Sequence, residues 1–69
     1  MRLANISYET PSKTFFVARE GKGLYRVYEN HPVASKLCAT FHFSTNSAKA
    51  MSLAIERANK LEEIRFGGS

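Results

Sequence analysis

The pattern of apolar and polar residues changes its period once along the chain, and this change separates a strand from a helix. Residues 36–43 alternate with the period of two that is typical of a half-buried strand. After residue 44, apolar residues recur at helical spacing, which predicts an amphipathic helix starting near Asn46 with Thr45 or Ser44 as its N-cap. We expect this helix to reach about residue 63. The alternative is an end near Lys60 followed by a short strand over residues 63–66.

Shorter patterns before residue 36 predict three more strands. Residues 2–9, 15–19 and 24–29 are rich in apolar, aromatic and β-branched residues, and Ala4, Ile6 and Tyr8 share one face of the first. Residues 10–13 form a turn around Pro11, residues 21–23 form a hairpin loop with two glycines, and residues 30–35 form a loop that contains Pro32.

These elements predict an α+β fold: a three- or four-stranded antiparallel sheet with one C-terminal amphipathic helix packed on one face. With 69 residues there is room for one domain, over residues 1–66, and residues 67–69 are interpreted as a flexible tail or an expression scar. The expected core comprises Phe15 or Phe16, Val17, Tyr25, Val27, Leu37, Ala39, Phe41, Phe43, Met51, Ala54, Ile55, Ala58 and Leu61.

Composition narrows the classes of function without naming one. The single cysteine, Cys38, favours a reducing compartment, so we expect a cytoplasmic protein, and no apolar run is long enough to predict a membrane span. Cys38 and His42 lie about 13 Å apart along a strand, which is too far for a shared metal or a catalytic pair. We therefore expect no enzyme activity, no metal and no cofactor.

The net charge of +4 and the sheet face turned away from the helix suggest a binding surface. Basic side chains interleaved with aromatic ones suit phosphate contact and base stacking. The same residue types also anchor protein interfaces, and a merely solvated face is the third reading. The predicted nucleic-acid-binding residues, with Phe16 as an alternative to the first, are Arg19, Lys22, Arg26, Tyr28, Lys36 and His42.

Residues 14–60, in the order strand, glycine hairpin, strand, loop, strand and helix, resemble a known DNA-binding domain. This is the three-stranded-sheet-plus-helix domain of plant APETALA-type factors and of the arm-binding domains of phage and transposon integrases. The residues that carry the resemblance are the hairpin at residues 21–27 and the step from residues 43–45 into an alanine-rich helix. The resemblance implies that the sheet face enters the major groove, with Arg19, Lys22, Arg26 and Tyr28 facing DNA.

Two functions of different classes follow as expectations. The first is a small non-enzymatic module that binds nucleic acid, DNA rather than RNA, through the open sheet face. The alternative is a small phage-type modulator that binds and inhibits a host protein, because such proteins often have this size and build. Self-association into a homodimer stays open.

Overall fold

The computed structural model describes residues 6–67. Four strands form one antiparallel sheet in the order β1-β2-β3-β4, and one helix packs on it. The predicted α+β fold is confirmed, with four strands. The elements are β1 (Ile6–Glu9), β2 (Phe15–Gly21), β3 (Leu24–Glu29), β4 (Lys36–His42) and α1 (Ser47–Arg65).

The helix ends are defined by local hydrogen bonds. Asn46, and neither Thr45 nor Ser44, is the N-cap, because its side chain accepts a bond from the amide of Lys49. The helix continues to Arg65, two residues beyond the predicted end, so the alternative strand at residues 63–66 is wrong. The predicted first strand before Ile6 and the tail at residues 68–69 lie outside the described residues.

The core lies between the helix and the sheet face that we call the helix-side face. Its helical contribution is a stripe of three fully buried alanines, Ala50, Ala54 and Ala58. Small side chains at spacing i, i+4 and i+8 occupy one face of the helix and allow its backbone to approach the sheet closely. The strands supply Phe15, Val17, Tyr25 and Val27, with Tyr8, Ala39, Phe41, Phe43, Ile55 and Leu61 packed against this cluster.

Two residues predicted for the core are exposed. Met51 is 37% exposed, because the buried stripe of the helix is centred on the alanines and includes Ala50, which the prediction omitted. Leu37 is 50% exposed, because the pairing of β3 with β4 shifts by one residue: Val27 pairs with Ala39, whereas Tyr28 pairs with Leu37. A one-residue shift moves every side chain beyond it to the other face.

A similar shift in β1 separates two residues predicted to share a face. Ile6 pairs with Ala18, whereas Tyr8 pairs with Val17. Tyr8 therefore lies on the helix-side face, where its hydroxyl donates to the Asn59 side chain at 2.8 Å. Ile6 lies on the opposite face, which we call the open face.

Candidate nucleic-acid interface

Three of the six predicted binding residues lie on the open face. Arg26 and Tyr28 pair across the sheet with Ala18 and Phe16, and His42 continues the same face on β4. Directly paired residues of antiparallel strands project to the same side. Arg26, Tyr28 and His42 therefore lie on the face away from the helix, as the alternation of β3 and β4 predicted.

Lys22 occupies the exposed tip of the β2–β3 hairpin, next to this face. The tip is held against the connection between β4 and the helix, since the Phe43 amide donates to the Gly23 carbonyl at 2.9 Å. Gly23 has φ of +67°, and a Cβ there would stand 2.3 Å from the Phe43 carbonyl oxygen. Only glycine permits this close approach, so the hairpin tip has a defined position beside the start of the helix.

The other two predicted residues, Arg19 and Lys36, lie on the helix-side face. Arg19 pairs with the buried Tyr25. Lys36 pairs with Glu29, whose carboxylate contacts Arg65 of the helix. The prediction for Lys36 assumed unbroken alternation through Cys38, but the register shift at this residue exchanges the faces of Lys36 and Leu37.

A polar cluster that the sequence analysis missed lies on the open face, around Glu20. One carboxylate oxygen of Glu20 accepts a hydrogen bond from the Tyr28 hydroxyl at 2.8 Å, and the other is 3.9 Å from the Arg26 guanidinium. Burial raises the pKa of Tyr28, and the bond to Glu20 raises it further. Among the described residues no group accepts a bond from the buried Nε of Arg26. The Arg26 side chain is 38% exposed.

The aromatic residues of the open face pack on each other. The rings of Phe16 and Tyr28 are stacked with centroids 5.3 Å apart and an interplanar angle of 22°. Phe16 is only 5% exposed, because it lies on an interior strand beneath its neighbours. At this end of the open face, Leu37 on β4 is the exposed partner of Tyr28, and Glu9 on β1 is the partner of Phe16. We call the three residues Phe16, Tyr28 and Leu37 the apolar half of the open face.

Charge is distributed unequally between the two ends of the molecule. The helix begins beside the hairpin, where the Tyr25 and Ser47 hydroxyl oxygens are 3.4 Å apart. It ends beside the first turn and the end of β3, where Ser12 donates to Glu62 and Arg65 contacts Glu29. Every charged side chain within residues 6–67 can therefore be assigned to one end of the molecule or to the middle of the helix.

Among the described residues, the hairpin end carries four cationic side chains and one carboxylate, Glu20. We call these four cationic residues, together with His42, the basic end: Arg19, Lys22, Arg26, Lys49 and His42. Lys49 lies 5.5 Å from the centroid of the Phe43 ring, beside the hairpin.

At the opposite end, cations and carboxylates are equal in number, and Glu56 and Arg57 cancel each other in mid-helix. The charged residues of that end are Lys13, Lys36, Lys60, Arg65, Glu9, Glu29, Glu62 and Glu63. The net positive charge of the described residues therefore resides at the basic end. The sequence analysis missed Lys49, because its place beside the hairpin depends on the direction in which the helix crosses the sheet.

The described residues present no group of three or more histidine, cysteine, aspartate or glutamate side chains that could hold a metal ion. The Cys38 thiol is exposed, and partial burial together with the nearby Glu29 carboxylate raises its pKa. A raised pKa lowers the fraction of reactive thiolate at neutral pH. Within residues 6–67, no helix is both long and apolar enough to cross a membrane.

Comparison with protein-family models, with curated proteins and with solved structures finds no match for this chain. The resemblance to the APETALA-type and integrase arm-binding domains therefore stays a prediction. The function must be argued from the geometry and charge of the interface described above.

Proposed function

We propose that this protein is a small nucleic-acid-binding module, and that DNA contacts the basic end and the adjoining part of the open face. The observation that carries the proposal is the concentration of the net charge of the described residues at the hairpin end, which has four cationic side chains and one carboxylate. Phosphate contacts by Lys and Arg supply most of the affinity of sequence-independent binding. A cluster at one end, beside a hairpin of defined position, provides such contacts in a fixed arrangement.

Glu20 has a specific part in this proposal as an intramolecular competitor of phosphate. Its carboxylate is 3.9 Å from Arg26, which is a weak, half-exposed ion pair. A phosphate can form the shorter, charge-assisted hydrogen bonds that this separation does not allow. Binding of DNA would thus transfer the Arg26 guanidinium from Glu20 to a phosphate.

Two conservative substitutions test this proposal in opposite directions. Arg26→Gln removes a phosphate contact, and we expect weaker binding with a salt slope less steep by about 1. Glu20→Gln still accepts the bond from Tyr28 but removes the competing charge, and we expect tighter binding. Fluorescence anisotropy with a labelled DNA duplex measures both, with thermal melting as the control for folding. Unchanged affinity in both variants would contradict the proposal.

The alternative, a modulator that binds and inhibits a host protein, is favoured by one observation. The register shift in β4 brings Leu37 to the open face beside Tyr28, so that the apolar half combines an exposed leucine with an aromatic side chain suited to a protein interface. Binding there would depend weakly on salt. Leu37→Asp should abolish such binding and leave DNA binding unchanged. A partner protein that binds Leu37→Asp as tightly as the wild type would contradict this alternative.

A further inference from the structure

Phe16 and one ring face of Tyr28, on the open face, are not free to stack on nucleobases. Proteins that bind single strands place successive bases on exposed aromatic faces. Here Phe16 is 5% exposed, one ring face of Tyr28 is occupied by Phe16, and the hydroxyl of Tyr28 is bonded to Glu20. Base stacking on Phe16, or on the ring face of Tyr28 that Phe16 covers, would require this cluster to open. The open face therefore offers no row of exposed aromatic rings among the described residues on which successive bases could stack.

The cations of the basic end, by contrast, lie on both sides of the hairpin. Arg26 lies on the open face, and the His42 side chain lies on the same face of β4. Arg19 lies on the helix-side face, and Lys49 lies at the start of the helix, over the Phe43 ring. Lys22 stands between the two groups at the tip. A single strand running along one face could contact only one of these groups at a time.

This arrangement matches the two phosphate backbones that border a groove of duplex DNA. The major groove of B-form DNA is about 12 Å wide and admits a two-stranded β-ribbon. The cations on the two faces of the ribbon tip would then each lie beside a different phosphate backbone of the duplex. The major groove of A-form RNA is deep and narrow, which disfavours the same approach.

We propose that the basic end binds duplex DNA across a groove, with phosphates of both strands contacted from opposite sides of the β2–β3 hairpin. This inference rests on the proposed nucleic-acid binding and specifies its ligand. With four phosphates neutralised, one of them by Arg26 after it leaves Glu20, the salt slope is about −3.6. Between about 50 and 200 mM salt, the affinity should fall roughly 150-fold.

The test uses the whole protein, a labelled DNA duplex, its separated strands and a duplex RNA of the same sequence. Two double variants with equal charge change are compared: Lys22→Glu with Lys49→Glu at the basic end, and Lys13→Glu with Lys60→Glu at the opposite end. All four lysines are exposed, so both variants should keep the fold, which circular dichroism verifies.

We expect duplex DNA to bind more tightly than either separated strand or duplex RNA. The basic-end variant should lose about 1.8 from the magnitude of the salt slope, and the opposite-end variant should retain the wild-type slope. Separated strands that bind as tightly as the duplex, or equal losses in both variants, would overturn the inference while leaving nucleic-acid binding standing. Absence of binding to every oligonucleotide at low salt would overturn both proposals.

Discussion

Replacing Gly23 with alanine should destabilise the fold through one close contact. The residue has φ of +67°, and left-handed backbone costs an L-residue with a side chain about 1–2 kcal/mol. The new Cβ would stand 2.3 Å from the Phe43 carbonyl oxygen, so the hairpin tip must move away from the β4–α1 connection. This movement disrupts the bond from the Phe43 amide to the Gly23 carbonyl, which contributes about 0.5–1.5 kcal/mol.

The expected loss is therefore about 1.5 to 3.5 kcal/mol in the free energy of unfolding. A domain of this length has a total stability on the order of 3 to 10 kcal/mol, so the loss is a large fraction of it. For such a domain it corresponds to a fall in melting temperature of about 6 to 28 °C. Thermal and urea unfolding followed by circular dichroism measure both quantities.

Gly21 provides the matched control within the same hairpin. Its φ is not in the left-handed region, and an added Cβ would make ordinary contacts of 3.8 Å with the Leu24 side chain. We expect Gly21→Ala to leave the stability unchanged or to raise it by up to about 1 kcal/mol. If Gly23→Ala melted within the range of Gly21→Ala, the contact between the hairpin tip and Phe43 would not have the described geometry.

Three further predictions concern the ion pair at the end of the helix, the alanine stripe and the Glu20 cluster. Arg65 lowers the pKa of Glu29 below its ordinary 4.5, so the pair stabilises the fold above that pH and the effect is lost as the pH falls through the lowered pKa. Arg65→Gln should therefore melt earlier than wild type at neutral pH and converge with it in acid; a constant difference at all pH values would refute this. Ala54→Leu should cost about 1–3 kcal/mol by overpacking, as measured by urea unfolding, whereas an unchanged midpoint would show that the helix does not lie close to the sheet. Glu20→Gln should lower the pKa of Tyr28 in an ultraviolet titration assigned with Tyr28→Phe, and an unmoved pKa would argue against their hydrogen bond.

The elements of the fold could be predicted because their signals are local. Alternation with period two, helical spacing after residue 46 and glycine in the hairpin each depend on a few neighbouring residues. The faces of single residues could not be predicted wherever the pairing shifts by one residue. Lys36 and Leu37 lie on the faces opposite to those predicted, because the strand pairing skips Cys38. The alternation of apolar and polar residues in β4 contains no signal for this shift.

The prediction of which helix residues contact the sheet was partly wrong for a different reason. Sequence patterns favour large apolar residues as core, so Met51 was preferred to Ala50. Close approach of helix and sheet instead selects small residues for the contact, and the larger side chains lie at the margins.

The position of four residues in the candidate interface could be predicted from the strand pattern: Lys22 at the hairpin tip, and Arg26, Tyr28 and His42 on the open face. The remaining members of the interface depend on relations between distant segments. Lys49 adjoins the hairpin only because the helix starts at that end of the sheet, and Glu20 reaches Tyr28 only through the geometry of β2 and β3. Such contacts follow from the assembled topology and have no signature in the spacing of residues.

The most direct test of nucleic-acid binding at the basic end is a titration of the isotopically labelled protein with a short DNA duplex, followed by amide chemical shifts in NMR spectra. The account predicts that the largest shifts cluster at residues 19–26, at His42 and near Lys49. The amides near Lys13, Lys60 and Glu62 at the opposite end should remain unmoved. Shifts confined to Leu37 and its neighbours in the apolar half, or no shifts at low salt, would contradict it.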